Sequence, residues 1–395
     1  MKKKKIIKWF DNQKLHLGFY AYRVKNHKKD KQKVKSNVEG FQSKQDNTGV
    51  LNKFIHIGYP KSGSTFLQNG FFGKHPEVLN LGCGNRTDQT YWDDLGYISK
   101  EINIAMEIDL RYRNSISYKA DEVKANFEKY FKQAKDSDVI KTVGISNENY
   151  SFQWNYGIDI EEKAKRLKNI FGDGTKIIVI LREQIDLISS LYKEQIRFGY
   201  SGTINDFFNY LWDYQDRSAL HEFCFDKVID VYANYFGIEN IQIIPFESFK
   251  ENNETFLNNL AATLNVELNF ITKIETIYNR QLSDEALEIK RQMNEKYKHT
   301  FEKGFYQVFD NHRYTPYYTE ELGEEVPFDV YLDYQVRHHL SKAAEKIATL
   351  KSVGKINLDI DKKNMKRFSK LFSESNQKLV QSYKVNLKHY NYLLK

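Results

Sequence analysis

Cysteine is almost missing from this chain: Cys83 and Cys224 are the only two in 395 residues. That excludes a disulfide framework and any cysteine-rich metal cluster, and it fits a reducing cytosol. No run of about 20 apolar residues occurs, so no transmembrane helix is expected. The start, MKKKKIIKWF, is positively charged, but its apolar segment is too short for a secretory signal and no small-residue cleavage site follows. Proline is scarce, with five in all, and neither an internal repeat nor a clear linker stands out. A cytoplasmic protein is the expectation.

Positive charge is also lacking where a polyanion-binding body would need it. The net charge is +8, yet residues 1–53 hold 14 Lys and one Arg against Asp11, Asp30, Glu39 and Asp46. The first 53 residues therefore carry +11 and the remainder −3. The basic character belongs to an N-terminal arm, which argues against nucleic acid as a partner. The arm, residues 1–50, has two readings. Its composition favours a solvated, partly ordered tail; alternatively Lys2 to Lys5 beside Ile6, Ile7, Trp9 and Phe10 rest peripherally on the anionic inner face of a membrane.

After the arm, short apolar runs alternate with helical periodicity. Residues 53–58, 139–145, 176–181 and 240–244 read as buried parallel strands, rich in Ile and Val. Residues 64–72, 121–134, 158–171, 183–198 and 221–236 read as helices between them. Beyond 250 the pattern is mostly helical, over 252–264, 283–297, 334–350 and 361–383. The predicted fold is α/β, P-loop-like and three-layered, with a central, mainly parallel sheet flanked by helices and a helical C-terminal portion. Residues 51–395 read as one domain.

The chemistry concentrates in GYPKSGSTFLQ, residues 58–68, directly after the first strand. Gly58 and Gly63 have the spacing of a phosphate-binding loop. A nucleoside-triphosphatase loop, however, puts Lys and then Ser or Thr straight after its second glycine. Here Ser64 and Thr65 follow Gly63, and the lysine is Lys61, inside the loop. A strand, a tight loop and a helix starting near Ser64 make an anion site from backbone N–H groups and the helix end. Gly63 allows close approach, Ser64 is placed to cap the helix, and Thr65 can donate to a phosphate oxygen. The plain alternative is an ordinary strand–turn–helix with a surface lysine, against which the compact Pro60-Lys61-Ser62-Gly63-Ser64-Thr65 counts.

FIHIGYPKSGSTFLQ (54–68) resembles the 5′-phosphosulfate loop of sulfotransferases that use 3′-phosphoadenosine 5′-phosphosulfate (PAPS), with pattern P-K-[ST]-G-[ST]-T. That family has a second signature, a strand ending in Arg and a helix with Ser eight residues on. KIIVILREQIDLISSLYKE (176–194) is similar to it, with Arg182 and Ser190. The stretches 243–266 and 373–392 also look like the family, so the resemblance spans residues 53–395. It implies that Lys61, Ser62, Gly63, Ser64 and Thr65 meet the phosphosulfate, Phe66 packs on the adenine, and Arg182 and Ser190 bind the 3′-phosphate. PAPS would be the donor and 3′,5′-ADP the product. Phe66 reads equally as a helix-face core residue.

The chain departs from the pattern in places. Glu183-Gln184 stands where the family often has Asn-Pro, and no Arg-Lys-Gly segment occurs near the end. Asn279-Arg280 reads as a surface pair rather than a substitute.

Sulfuryl transfer needs positioned reactants and neutralised charge on the leaving phosphate, and Lys61 suits the second role. An acceptor hydroxyl also needs a base. No histidine lies between positions 76 and 220, so a carboxylate is expected. Glu148, following a predicted strand, is the leading choice, with Asp88 and Asp93 as competitors. His56 reads as a satisfied core histidine and His75, before Pro76, as part of a helix stop. No metal-ligand spacing is present and no metal is expected.

The acceptor expected is a hydroxyl or amine, and the texture of the similarity favours a carbohydrate such as a surface glycan. Tyr91-Trp92, Trp154-Asn155-Tyr156 and residues 314–318 either stack on sugars or belong to the core. Two other functions remain open from sequence: a P-loop kinase for nucleosides or sugars with a degenerate loop, and a non-catalytic nucleotide-binding protein. Oligomeric state is not indicated.

Overall fold

The computed structural model describes residues 51–82, 100–152, 157–215, 218–267, 282–297 and 328–394. Readings placed on the arm, Asp88, Asp93, Tyr91-Trp92, Trp154-Asn155-Tyr156, Asn279-Arg280 and residues 314–318 lie outside the described residues.

The chain runs β1 (Asn52–His56), α1 (Ser64–Phe66) continued by a π-helical turn (Leu67–Phe72), β2 (Val78–Asn80), α2 (Lys100–Ile104) continued by a second π turn (Ala105–Asp109), α3 (Ala120–Lys135) and β3 (Thr142–Ser146). A 3₁₀ turn (Glu148–Tyr150) leads to α4 (Ile160–Phe171), β4 (Lys176–Leu181), α5 (Gln184–Arg197), α6 (Ile204–Tyr214), α7 (Phe225–Phe236) and β5 (Ile241–Pro245). Then come α8 (Phe246–Glu251), α9 (Asn253–Leu264), α10 (Asp284–Tyr297), α11 (Phe328–Leu350) and α12 (Lys362–Tyr383).

The five strands form one sheet in the order β2-β3-β1-β4-β5, every pair parallel. Ile55 pairs with Ile145 on one side and Ile177 on the other. Alternation of side chains splits the strands between two cores. Ile55, Val143, Ile145, Ile177, Val179 and Leu181 face α2 to α7 and α12. Phe54, Val78, Ile178, Ile180 and Ile244 face the turn after α1 and helix α9, whose Phe256, Leu260 and Leu264 cover them. The result is the expected P-loop-like three-layer fold, followed by helices.

Helix starts follow local chemistry. Asp159 caps α4 by accepting from Glu162 N at 2.7 Å, and Thr203 with Asp206 forms a reciprocal capping box at α6. Asp361 caps α12, accepting from Asn364 N at 2.7 Å. The structure adds elements that the periodicity did not announce. β2 is three residues long, too short for an alternation signal, and α2 and α6 were unassigned. The segment 221–236 begins its helix only at Phe225, and 252–264 is preceded by a separate short helix, α8.

Candidate active site

In a parallel sheet the crevice opens where neighbouring strands send their connections in opposite directions. The chain leaves β1 towards β2 and leaves β4 towards β5, so the C-terminal ends of β1 and β4 frame that point. Residues 58–65 extend from β1 and Arg182 from β4, which is where both sequence motifs fall.

The loop keeps bonding to β4 as it departs: Ile57 N donates to Ile178 O at 3.0 Å and Tyr59 N to Ile180 O at 3.3 Å. Tyr59 is buried, its hydroxyl donating to Glu222 O at 2.7 Å, and it anchors the loop. Beyond it the backbone bends through two left-handed residues, Lys61 at φ 64° and Gly63 at φ 83°. For lysine that conformation costs roughly 1–2 kcal/mol, strain of the sort found where a loop is shaped for binding. Gly63 is required twice. Its φ favours glycine, and a Cβ there would meet Phe246 Cε2 at 2.8 Å.

Gly63, not Ser64, is the N-cap residue of α1. This corrects the expected capping role: Ser64 is already helical, and its hydroxyl turns back to donate to Tyr59 O at 3.4 Å. The turn after α1 is π-helical, a form common at functional sites, and it carries Gln68 beneath the loop to donate to Ser146 Oγ at 3.2 Å. Phe66 is half-buried, its ring 4.6 Å from that of Phe249, which stacks in turn on Phe246 at 5.9 Å. Phe66 thus lies in an aromatic row that runs from the loop onto the core around Phe256, where both of its readings remain compatible with its place.

Arg182 and the loop are brought together directly: Arg182 Nη1 donates to Lys61 O at 3.0 Å. Its guanidinium carbon lies 5.9 Å from the Phe246 ring. The departure at Glu183-Gln184 has a structural reason. Glu183 caps α5, accepting from Asp186 N at 2.8 Å, and its own N–H donates to Glu247 Oε1 at 3.0 Å. Gln184 is buried and exchanges hydrogen bonds with Asn376 of α12, at 2.7 and 3.1 Å. Glu247 Oε2 also accepts from the buried Tyr392 hydroxyl at 2.9 Å, and Asn376 Nδ2 donates to Leu393 O at 2.9 Å. The last residues of the chain therefore brace the corner that presents Arg182.

Three buried donors on the two motifs have no partner among the described residues: Ser62 Oγ, Arg182 Nε and Ser190 Oγ. Ser62 and Ser190 are 1% and 6% exposed. A buried donor left unmet costs about 1–3 kcal/mol, and the three that fall on the two motifs describe a cradle suited to anionic oxygens.

Lys61 has a partner that the sequence reading missed. Its Nζ lies 3.7 Å from Glu194 Oε1, with side chains 15% and 28% exposed. Glu194 stands on α5 one turn beyond Ser190, so both share a helix face. The spacing of four was visible in the sequence and was passed over because no motif includes it.

Glu148 is half-buried at the head of the 3₁₀ turn after β3. Ser151 Oγ lies within hydrogen-bond reach of both Gly58 O, at 3.2 Å, and Glu148 O, at 3.1 Å, which ties this turn to the loop. The turn is held from below by Lys163, whose Nζ donates to Asn149 O and Phe152 O at 2.9 and 3.0 Å. Burial pushes that ammonium down to about 7. Asn147 Nδ2 donates to Glu107 Oε1 at 3.2 Å, and Glu107 also pairs with Arg111. Glu148 and Lys61 are thus on adjoining segments, but the ion-pair partner of Lys61 is Glu194.

His56 is buried as expected, yet only half satisfied. Nδ1 bonds Ser146 Oγ at 2.7 Å, while Nε2 has no partner and lies below Gly58. Burial drives its pKa down to about 3, so the ring is neutral in the folded protein. An unfolded histidine takes up its proton near 6.5. Below that pH the unfolded state binds more protons than the folded one, so stability falls as pH drops from 6.5 towards 3. In His56→Asn, urea unfolding between pH 6.5 and 4 is expected to show a shallower fall than in wild type. His75 is structural, with Nε2 bonded to Glu267 O at 2.7 Å. Among the described residues no group of three or more His, Cys, Asp or Glu is placed to hold a metal, and no helix is long and apolar enough to cross a membrane.

No protein-family model matches the chain, and no curated protein matches it. Solved structures similar to it include three sulfotransferases. A sulfotransferase from Alicyclobacillus acidocaldarius is 14% identical with a TM-score of 0.38, over 70% of this chain and 98% of that one. A sulfotransferase domain from the curacin biosynthetic pathway is 13% identical with a TM-score of 0.33, over 71% and 100%. A sulfotransferase domain from the Synechococcus PCC 7002 olefin synthase is 15% identical with a TM-score of 0.30, over 77% and 98%. Likeness at these scores decides nothing about chemistry. By its own strand order, the chain has a P-loop-like three-layer fold with its two motifs at one crevice.

Proposed function

We propose that the chain is a sulfotransferase that moves a sulfuryl group from PAPS to a hydroxyl or amine of an acceptor, expected to be a carbohydrate. The observation that supports this reading is the set of unpartnered buried donors, Ser62 Oγ, Arg182 Nε and Ser190 Oγ, beside a strained loop that carries Lys61. Two anionic groups answer that arrangement: a phosphosulfate over the loop and a 3′-phosphate beside Arg182 and Ser190. A triphosphate in a Walker-type loop would use a lysine after the second glycine, which this loop does not have.

In this reading Ser62, Gly63, Ser64 and Thr65 hold the phosphosulfate, Phe66 borders the adenine, and Lys61 neutralises charge on the oxygen that leaves sulfur. Glu148 receives the acceptor proton. Lysine and loop amides carry the charge stabilisation, so the reading asks for no metal.

Calorimetry tests it. Tight binding of 3′,5′-ADP, indifferent to magnesium, and label transfer from PAPS to a fractionated glycan extract are the expected results. Magnesium-dependent binding of ATP in place of 3′,5′-ADP would turn the assignment to a kinase. Binding of 3′,5′-ADP without transfer to any fraction would leave a nucleotide-binding protein.

A further inference from the structure

Lys61 is already engaged. Its ammonium lies 3.7 Å from Glu194 Oε1, both side chains largely buried. An ammonium that is to meet an incoming anion is here shared with a carboxylate of its own chain. Glu194 is carried by α5 (Gln184–Arg197), the same helix that presents Ser190, so it is fixed beside the crevice. Its neighbour Lys193 is turned elsewhere, paired with Asp284 at 2.8 Å. Lys61 is the cation that the described residues give Glu194.

We propose that Glu194 is a positioning residue that holds Lys61 until a nucleotide bearing a 5′ anion takes the lysine over. The inference rests on the sulfotransferase reading. Two consequences follow from charge alone. The Glu194 carboxylate and a 5′-phosphate or phosphosulfate compete for one ammonium, so the pair lowers affinity for any ligand with a 5′ anion. They also repel each other across a short distance of low dielectric. A ligand with a 3′-phosphate and no 5′ anion does not ask for Lys61, and is indifferent to Glu194.

The experiment compares wild type with Glu194→Gln by calorimetry, using 3′,5′-ADP and adenosine 3′-phosphate as probes. The variant is expected to bind 3′,5′-ADP about three- to tenfold more tightly, with its affinity for adenosine 3′-phosphate unchanged. A merely structural role for Glu194 would not strengthen binding, and would not separate the two ligands. Glu194→Ala, which removes the carboxylate without an amide in its place, should give the same gain, and thermal unfolding checks that both variants are folded. Equal or weaker binding of 3′,5′-ADP by the folded variants overturns the inference, as does an equal gain for both ligands. If wild type binds neither probe, the sulfotransferase reading itself is lost and the inference with it. If wild type binds and Glu194→Gln does not differ, the inference alone is lost.

Discussion

Lys61→Ala loses sulfuryl transfer by at least about 10³-fold while the protein stays folded. The size follows from the proposed role, in which a cation set beside the leaving oxygen stabilises charge that exists mainly in the transition state. Removing one neutral donor from such a position costs about 10²–10³-fold, and the single cation of a transferring group is worth more. The fold should tolerate the change. Among the described residues the ion pair of Lys61 is with Glu194, not with the core, and alanine meets the same left-handed strain at φ 64° that lysine does. The measurement is label transfer from PAPS at saturating donor, beside a thermal unfolding curve. Lys61→Arg is a stringent companion, because a planar guanidinium does not replace a compact ammonium at a bent loop. Turnover near wild type in Lys61→Ala would remove the residue from the mechanism.

Arg182→Ala separates the two anion positions. A hydrogen bond to a charged partner contributes about 1.5–3 kcal/mol, so affinity for 3′,5′-ADP should fall about 10²-fold. Adenosine 5′-phosphate, which has nothing at the 3′ position, should lose only a few-fold. That smaller loss comes from the bond between Arg182 Nη1 and Lys61 O, which steadies the loop. Equal losses for the two nucleotides would mean that Arg182 acts through the loop alone. Ser190→Ala should show the same preference with a smaller effect, since a neutral hydroxyl contributes less than a guanidinium.

Much of the sheet could be read from the chain before any coordinates. β4 is an uninterrupted Ile- and Val-rich run, as burial on both faces of a central strand requires, and β1, β3 and β5 are shorter apolar runs bounded by turns. β2 gave no such run, because Val78–Asn80 is an edge strand of three residues behind His75-Pro76. Helix α6 was legible in principle, since Thr203 before INDFFNYLWDY and Asp206 within its first turn form a capping pair, but its crowded aromatics obscured the period. The π turns were not legible, because one extra residue per turn leaves no compositional mark. At the site, motif spacing set Lys61 after β1 and Arg182 after β4, and the structure brings the two into contact. Their contact, and the pairing of Lys61 with Glu194, depend on how α5 lies against the loop, which spacing does not encode. The unpartnered Nε2 of His56 belongs with these: a mid-strand histidine reads as core, and its satisfaction depends on what the neighbouring loop offers.

The brace at the Arg182 corner has a consequence for the order of manufacture. Gln184 depends on Asn376, and Glu247 is shared between Glu183 N and the Tyr392 hydroxyl. The ribosome makes Lys61 long before Tyr392, and segments fold as they emerge. A nascent chain can therefore assemble its sheet and loop while the corner is still unsupported. The cradle around Arg182 should therefore mature only once the segment carrying Asn376 and Tyr392 has docked against it, so that the last-made part of the fold completes the first.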